Sequence, residues 1–131
     1  MKTRIFISAV LFSLVSMGII YGCKKKEDAA SVTGADYAGS WTVSSNCGNY
    51  PMTISASGDN LTISNFHVDF AVAATVSGNS LTIPSQARTG ASGNGPYTFA
   101  GSGTKNGNSL SITYTVKDGG ATTNCSATAT K

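Results

Sequence analysis

The sequence predicts an all-β domain: a small eight-stranded antiparallel up-and-down barrel, with a flattened β-sandwich as the alternative. Three observations carry this. From Trp41 onward apolar residues recur with period two, in a chain rich in Thr, Ser, Val, Ile and Gly. Three stretches share one pattern, GDNLTI at 58–63, GNSLTI at 78–83 and GNSLSI at 107–112, and each puts Gly with Asn or Asp where a tight hairpin needs positive φ. No stretch after the first segment shows a helical period.

The first element is not part of that domain. Lys2 and Arg4 precede an apolar and small-residue run of 16 residues, Ile5 to Ile20. A helix that spans a bilayer needs about 20 residues, so residues 1–22 read as an export signal rather than a retained anchor helix. Ile20-Tyr21-Gly22-Cys23 resembles the bacterial lipobox. That resemblance implies that Cys23 is freed by cleavage, lipidated and left as the first mature residue, holding the protein to a membrane through its acyl (palmitate-type) chains. Each buried methylene adds about 0.8 kcal/mol. A plain signal peptide with an incidental cysteine is the alternative.

Lys26-Glu27-Asp28 follows at once and resembles the export tag of Bacteroidetes-type lipoproteins. In that group the tag directs lipoproteins to the outer face of the outer membrane, which is the localisation the resemblance implies. The alternative is a solvated charged tether. Residues 23–36 are charged, then small and polar, and read as a lipidated flexible tether; residues 37–131 form the β-domain. The formal charge of +3 belongs to the leader and tether. From Gly34 on, Arg88, Lys105, Lys117 and Lys131 are balanced by Asp36, Asp59, Asp69 and Asp118. A neutral domain lacks the basic stripe a nucleic-acid partner requires.

Within the domain the strands follow in order. Trp41 and Val43 share a face over about 39–47, Met52 and Ile54 over 51–57, and Leu61 and Ile63 over 60–65. Val68, Phe70, Val72, Ala74 and Val76 alternate over 68–77 with His67, Asp69, Ala71, Ala73 and Thr75 on the other side. Leu81 and Ile83 mark 80–86, Tyr97 and Phe99 mark 95–104, Leu110 to Val116 mark 108–117, and 121–130 closes the set. Every connection is short enough for sequential antiparallel pairing, and closure removes the exposed edges.

A meander of this kind sorts its connections by end. The three glycine turns, the entry of the chain and its exit share one end, so the tether belongs there. The other end carries the connections near 48–50, 65–67, 87–95 and 118–120, and any recognition is expected on it. Lipidation of Cys23 leaves Cys47 and Cys125 as one pair, expected to be oxidised outside the cytoplasm and to join the first and last strands. Two buried free thiols are the alternative.

Gly39-Ser40-Trp41 on the first strand resembles the Gly-x-Trp of lipocalin-like and avidin-like barrels. In those barrels the tryptophan plugs the closed end and small ligands bind inside. As a whole the chain resembles small Bacteroidetes-type outer-membrane lipoproteins with a tethered lipocalin-like, calycin-like β-domain of uncharacterised function.

Chemistry is sparse. His67 is the only histidine; with Asp69 two residues on it lacks a third ligand, so the pair reads as solvent-facing and no metal is expected. No serine has a marked base, no Gly-x-Ser-x-Gly occurs, and no two carboxylates stand out as a pair. No catalytic residue and no cofactor are expected. Trp41, Phe70, Tyr97, Phe99 and Tyr114 point inward on the alternation, either as core or as a ligand-lining set. Arg88, on the long connection, is a solvated loop charge or a contact to an anionic partner. The expectation is a lipid-anchored binding or interaction module that is not an enzyme, meeting a small molecule or a protein. The alternatives are a carrier of a small apolar ligand and an inhibitor of a secreted enzyme.

Overall fold

A computed structural model describes residues 31–131. The signal expected over residues 1–22, the anchor expected at Cys23 and the tag expected at Lys26, Glu27 and Asp28 lie outside the described residues. Eight strands follow one another: β1 Gly39–Ser45, β2 Tyr50–Ser57, β3 Asn60–Phe66, β4 Phe70–Ser77, β5 Ser80–Arg88, β6 Tyr97–Asn106, β7 Ser109–Asp118 and β8 Ala121–Thr130. Each pairs with its neighbour in sequence, and β1 also pairs antiparallel with β8 through Thr42↔Thr130, Val43↔Ala129, Ser44↔Thr128 and Ser45↔Ala127. The sheet is a closed barrel, and the sandwich alternative falls away.

Local chemistry explains the turns. Gly58, Gly78 and Gly107 take φ of 60°, 57° and 58°. Each opens a two-residue hairpin whose backbone twist matches that of its strands, a conformation that disfavours any side chain. These turns gather at one end, where a single helical turn, α1 Gly34–Tyr37, closes the barrel. Composition assigns Gly34 to Asp36 to the tether, because four residues cannot display a helical period. The structure corrects this. Tyr37 is fully buried and donates its hydroxyl to Gly78 O at 3.0 Å, while Trp41 Nε1 donates to Tyr37 O at 2.8 Å. The Lys131 ammonium caps the plug, donating to Asp36 O and Ala38 O at 2.9 Å each and lying 4.8 Å from the Trp41 ring. Trp41 therefore plugs the closed end.

Alternation fills the interior with one continuous cluster, from Tyr37 and Trp41 at the plugged end to Tyr50, Phe66 and Tyr114 at the other. Each fully buried large apolar side chain contributes about 1.5–3 kcal/mol. Two irregularities shape that cluster. The β3–β4 register shifts between Ile63 and Phe66, with Asn65 at φ 58°, so the bulge turns Phe66 inward where strict alternation would send Asn65. On β6, Gly101 and Gly103 occupy inward positions, and a Cβ on Gly103 would lie 2.7 Å from Ser111 O, so β6 presses directly onto β7.

Cys47 and Cys125 are bridged, with Cα atoms 5.6 Å apart. Cys47 lies in the β1–β2 turn, two residues beyond the end of the strand expected to hold it. The bridge still spans the seam where the first and last strands meet. Asn46 reinforces it, accepting the Ser126 N–H at 2.7 Å and donating to Asn124 O at 3.3 Å.

Candidate functional site at the open end

Opposite the plug, four connections surround the barrel mouth, and the β3–β4 connection dominates it. Asn65, His67 and Val68 all have positive φ, 58°, 49° and 78°. Holding non-glycine residues in this region costs of order 1–3 kcal/mol each and is seen where surrounding structure enforces it. The result is two opposed side chains. Val68 is 61% exposed at the tip. His67 folds back over the mouth, its ring 5.9 Å from both Phe99 and Tyr114 and 6.3 Å from Phe70. The expectation that His67 and Asp69 share a solvent-facing strand position is therefore overturned: the left-handed connection sends His67 inward, where alternation alone would place it outside. Asp69 instead holds the 89–96 connection, accepting from the Ser92 hydroxyl and backbone N–H. Those two donors keep its carboxyl below the usual range.

Beneath His67 lies a short polar chain. Its Nδ1 is 3.1 Å from Tyr114 Oη, which is 3.4 Å from Tyr50 Oη. Burial lowers the imidazole pKa and raises both phenols, so at neutral pH all three groups are uncharged. The chain runs in either direction: a neutral ring with its proton on Nε2 accepts at Nδ1 from Tyr114, and one with its proton on Nδ1 donates to it. Phe66 supports the set, its ring 4.6 Å from that of Tyr114. Phe70 packs at a tilt between Phe99 at 4.8 Å and Tyr97 at 5.3 Å.

A cavity of about 360 Å³ opens here, lined by Asn46, Cys47, His67, Tyr97, Asp118 and their neighbours Val116 and Thr123. It joins an apolar wall (Tyr97, Val116 and the disulfide) to a carboxylate, an imidazole and amide and hydroxyl groups. A larger hollow of about 470 Å³ lies on the outer wall of β1 and β6 to β8, but it offers only hydroxyls, one amide, aliphatic carbons and backbone. The mouth is the chemically richer of the two.

The five aromatic candidates divide. Phe70, Phe99, Tyr114 and Tyr97 meet at the mouth, with Tyr97 half-buried at the rim; Trp41 sits at the far end and lines nothing open. Arg88 closes β5 on the barrel flank, its Nε donating to Gln86 Oε1 at 2.9 Å. Tyr50 and Asp118 escaped the sequence reading although extending the alternation of Met52 and Ile54, and of Tyr114 and Val116, reaches both. His67 had no such signal. Among the described residues, no three or more His, Cys, Asp or Glu side chains converge as a metal site, and no helix is long and apolar enough to cross a membrane.

The closed eight-stranded barrel is consistent with a lipocalin-like fold. No family model matches the chain, and neither a curated protein nor a solved structure is significantly similar to it.

Proposed function

We propose that the protein is a lipid-anchored, noncatalytic binding module of the outer membrane, tethered through Cys23 and presenting the mouth around His67, Tyr97 and Asp118 to a partner. The observation that carries this reading is the polarity of the barrel. The chain enters beside α1 at the plugged end, and the cavity of about 360 Å³ opens at the other. A tether at the plug holds the membrane on that side and leaves the mouth facing outward. The continuous buried cluster supports docking at the mouth over carriage of a ligand inside. The His67 imidazole meets one neutral phenol, Tyr114, which in turn meets Tyr50, and among the described residues no nucleophile bonds to the ring, which favours binding over catalysis.

The tether is tested by Cys23→Ser, which should abolish incorporation of labelled palmitate and release the protein from the membrane pellet. The orientation is tested by photo-crosslinking on intact cells. A benzoylphenylalanine at Val68 should give adducts, and one at Asp36 should give none. Equal adducts from both positions, or from neither, would count against a mouth-directed module.

A further inference from the structure

The barrel wall has one incomplete seam. β4 and β5 pair only through Thr75↔Thr82, Val76↔Leu81 and Ser77↔Ser80, all beside the glycine turn. Two residues beyond Thr82, the next β5 position whose backbone faces β4 is Pro84, which has no N–H to give to Ala73. The Gln86 side chain takes over: its Oε1 accepts the Ala73 N–H at 2.8 Å, and its Nε2 donates to Ala73 O at 2.7 Å and Pro84 O at 3.0 Å. A side-chain amide thus stands where a strand's peptide group would stand. Further along β4, Asp69 O accepts the Ala91 N–H at 3.1 Å. Between these two positions lies Ala71. Residues 69 and 73 direct their backbone groups toward β5, and the two-residue period sends those of Ala71 the same way, where it has no strand partner among the described residues.

Three features converge at this window. Ala71 offers an N–H and a C=O. A cavity of about 290 Å³ covers them, lined by Thr62, Ala71, Val72, Ala73, Arg88 and Thr89. The Arg88 guanidinium commits only Nε, to Gln86 Oε1, and its terminal nitrogens have no hydrogen-bond partner among the described residues.

We infer that this window captures the free C-terminus of an extended peptide segment from a partner protein. The terminal carboxylate pairs with Arg88 and accepts the Ala71 N–H, and the N–H of the last peptide residue donates to Ala71 O. The window admits one backbone pair. Gln86 closes it below and the Asp69–Ala91 bond above, so a chain end fits where a through-running strand would have to break one of them. Thr62, Ala71 and Ala73 make the floor shallow, which suits a small last side chain. The site lies on the flank and does not depend on ligand binding at the mouth.

The test uses the protein as cells process it, with an N-terminally fluorescein-labelled Thr-Val-Thr-Val-Ala peptide followed by fluorescence anisotropy. The free acid is expected to bind saturably. Its C-terminal amide should bind about tenfold more weakly or worse, the scale of one lost charge-assisted contact. Arg88→Gln should show the same loss for the acid and little difference between acid and amide. Ala71→Pro deletes the donor and should also weaken binding, and unchanged melting temperatures would show that both variants remain folded. Equal affinity for acid and amide overturns the inference. So does the absence of saturation at millimolar peptide, displacement by acetate at the concentration that the peptide itself requires (an anion site only), or an Arg88-dependent dimer in sedimentation, which would make the occupant a second copy.

Discussion

His67 Nδ1 lies 3.1 Å from Tyr114 Oη, tying a left-handed surface connection to a buried aromatic group of the barrel mouth. A neutral imidazole serves this bond in either tautomer, accepting at Nδ1 or donating from it. Protonation would put a charge into a half-buried site, and that loss of solvation holds the His67 pKa below its usual value.

The pH dependence follows from that direction. The folded state resists protonation and the unfolded state does not, so the unfolded chain binds more protons below its own pKa of about 6.5. The stabilisation is whole above that value and declines as pH falls through it, levelling off below the folded pKa. Asp36 and Asp69, both held low by hydrogen bonds (from Thr33 and from Ser92), add a separate decline only in the carboxylate range. Urea unfolding between about pH 7 and pH 5 should show stability falling with pH in the native protein and a flat profile in His67→Gln. Two parallel profiles would show that His67 is not the group responsible.

Across the seam of first and last strands, the Cys47–Cys125 bridge closes a loop with a sequence separation of 78. In the chain-entropy model that length corresponds to about 4 kcal/mol. The paired replacement Cys47→Ala with Cys125→Ala should lower the free energy of unfolding by about 2–4 kcal/mol, measured by urea titration. Reductant should lower the native protein by a similar amount and leave the double variant unmoved. A native protein insensitive to reductant would mean that the bridge does not constrain the unfolded chain.

The same elements show how far the sequence could be read. Period two and the repeated glycine turns were enough for eight strands and their closure, because in this barrel one face of nearly every strand is buried and the turns require φ that few residues adopt. Phe66 and His67 were not legible, since a bulge shifts the parity of the strand by one residue and nothing in Asn65 announces it. Tyr37 was missed because a four-residue helix leaves no periodic trace. The Gln86 contact joins residues 13 apart through a side chain acting as backbone, and only the Pro84 in mid-strand hints at the need for it.

Inward glycines on β6 make a packing prediction with an internal control. A Cβ at position 103 would sit 2.7 Å from Ser111 O and 3.3 Å from the Ile112 side chain. Gly103→Val should therefore cost about 1–3 kcal/mol by overpacking. Thr104→Val, on the neighbouring exposed position, should stay within about 0.5 kcal/mol of the native protein. Thermal melts of the two would decide it; equal effects would remove the close approach of β6 and β7 as the reason for glycine here.

Gln86 gives the sharpest local test, because its amide supplies both an acceptor and a donor to one residue. Gln86→Glu keeps an acceptor for the Ala73 N–H at a site where Arg88 Nε can still reach it, but an ionised carboxylate cannot donate to Ala73 O. Gln86→Leu removes both. Exchange of the Ala73 amide hydrogen should be slow in the native protein, faster in Gln86→Leu, and close to native in Gln86→Glu, since that N–H keeps its partner. Global stability should fall in both variants by about 1 kcal/mol, the net worth of an exposed hydrogen bond or two. If Ala73 exchanged equally fast in all three proteins, the amide would not be standing in for a strand, and the seam between β4 and β5 would be open without it.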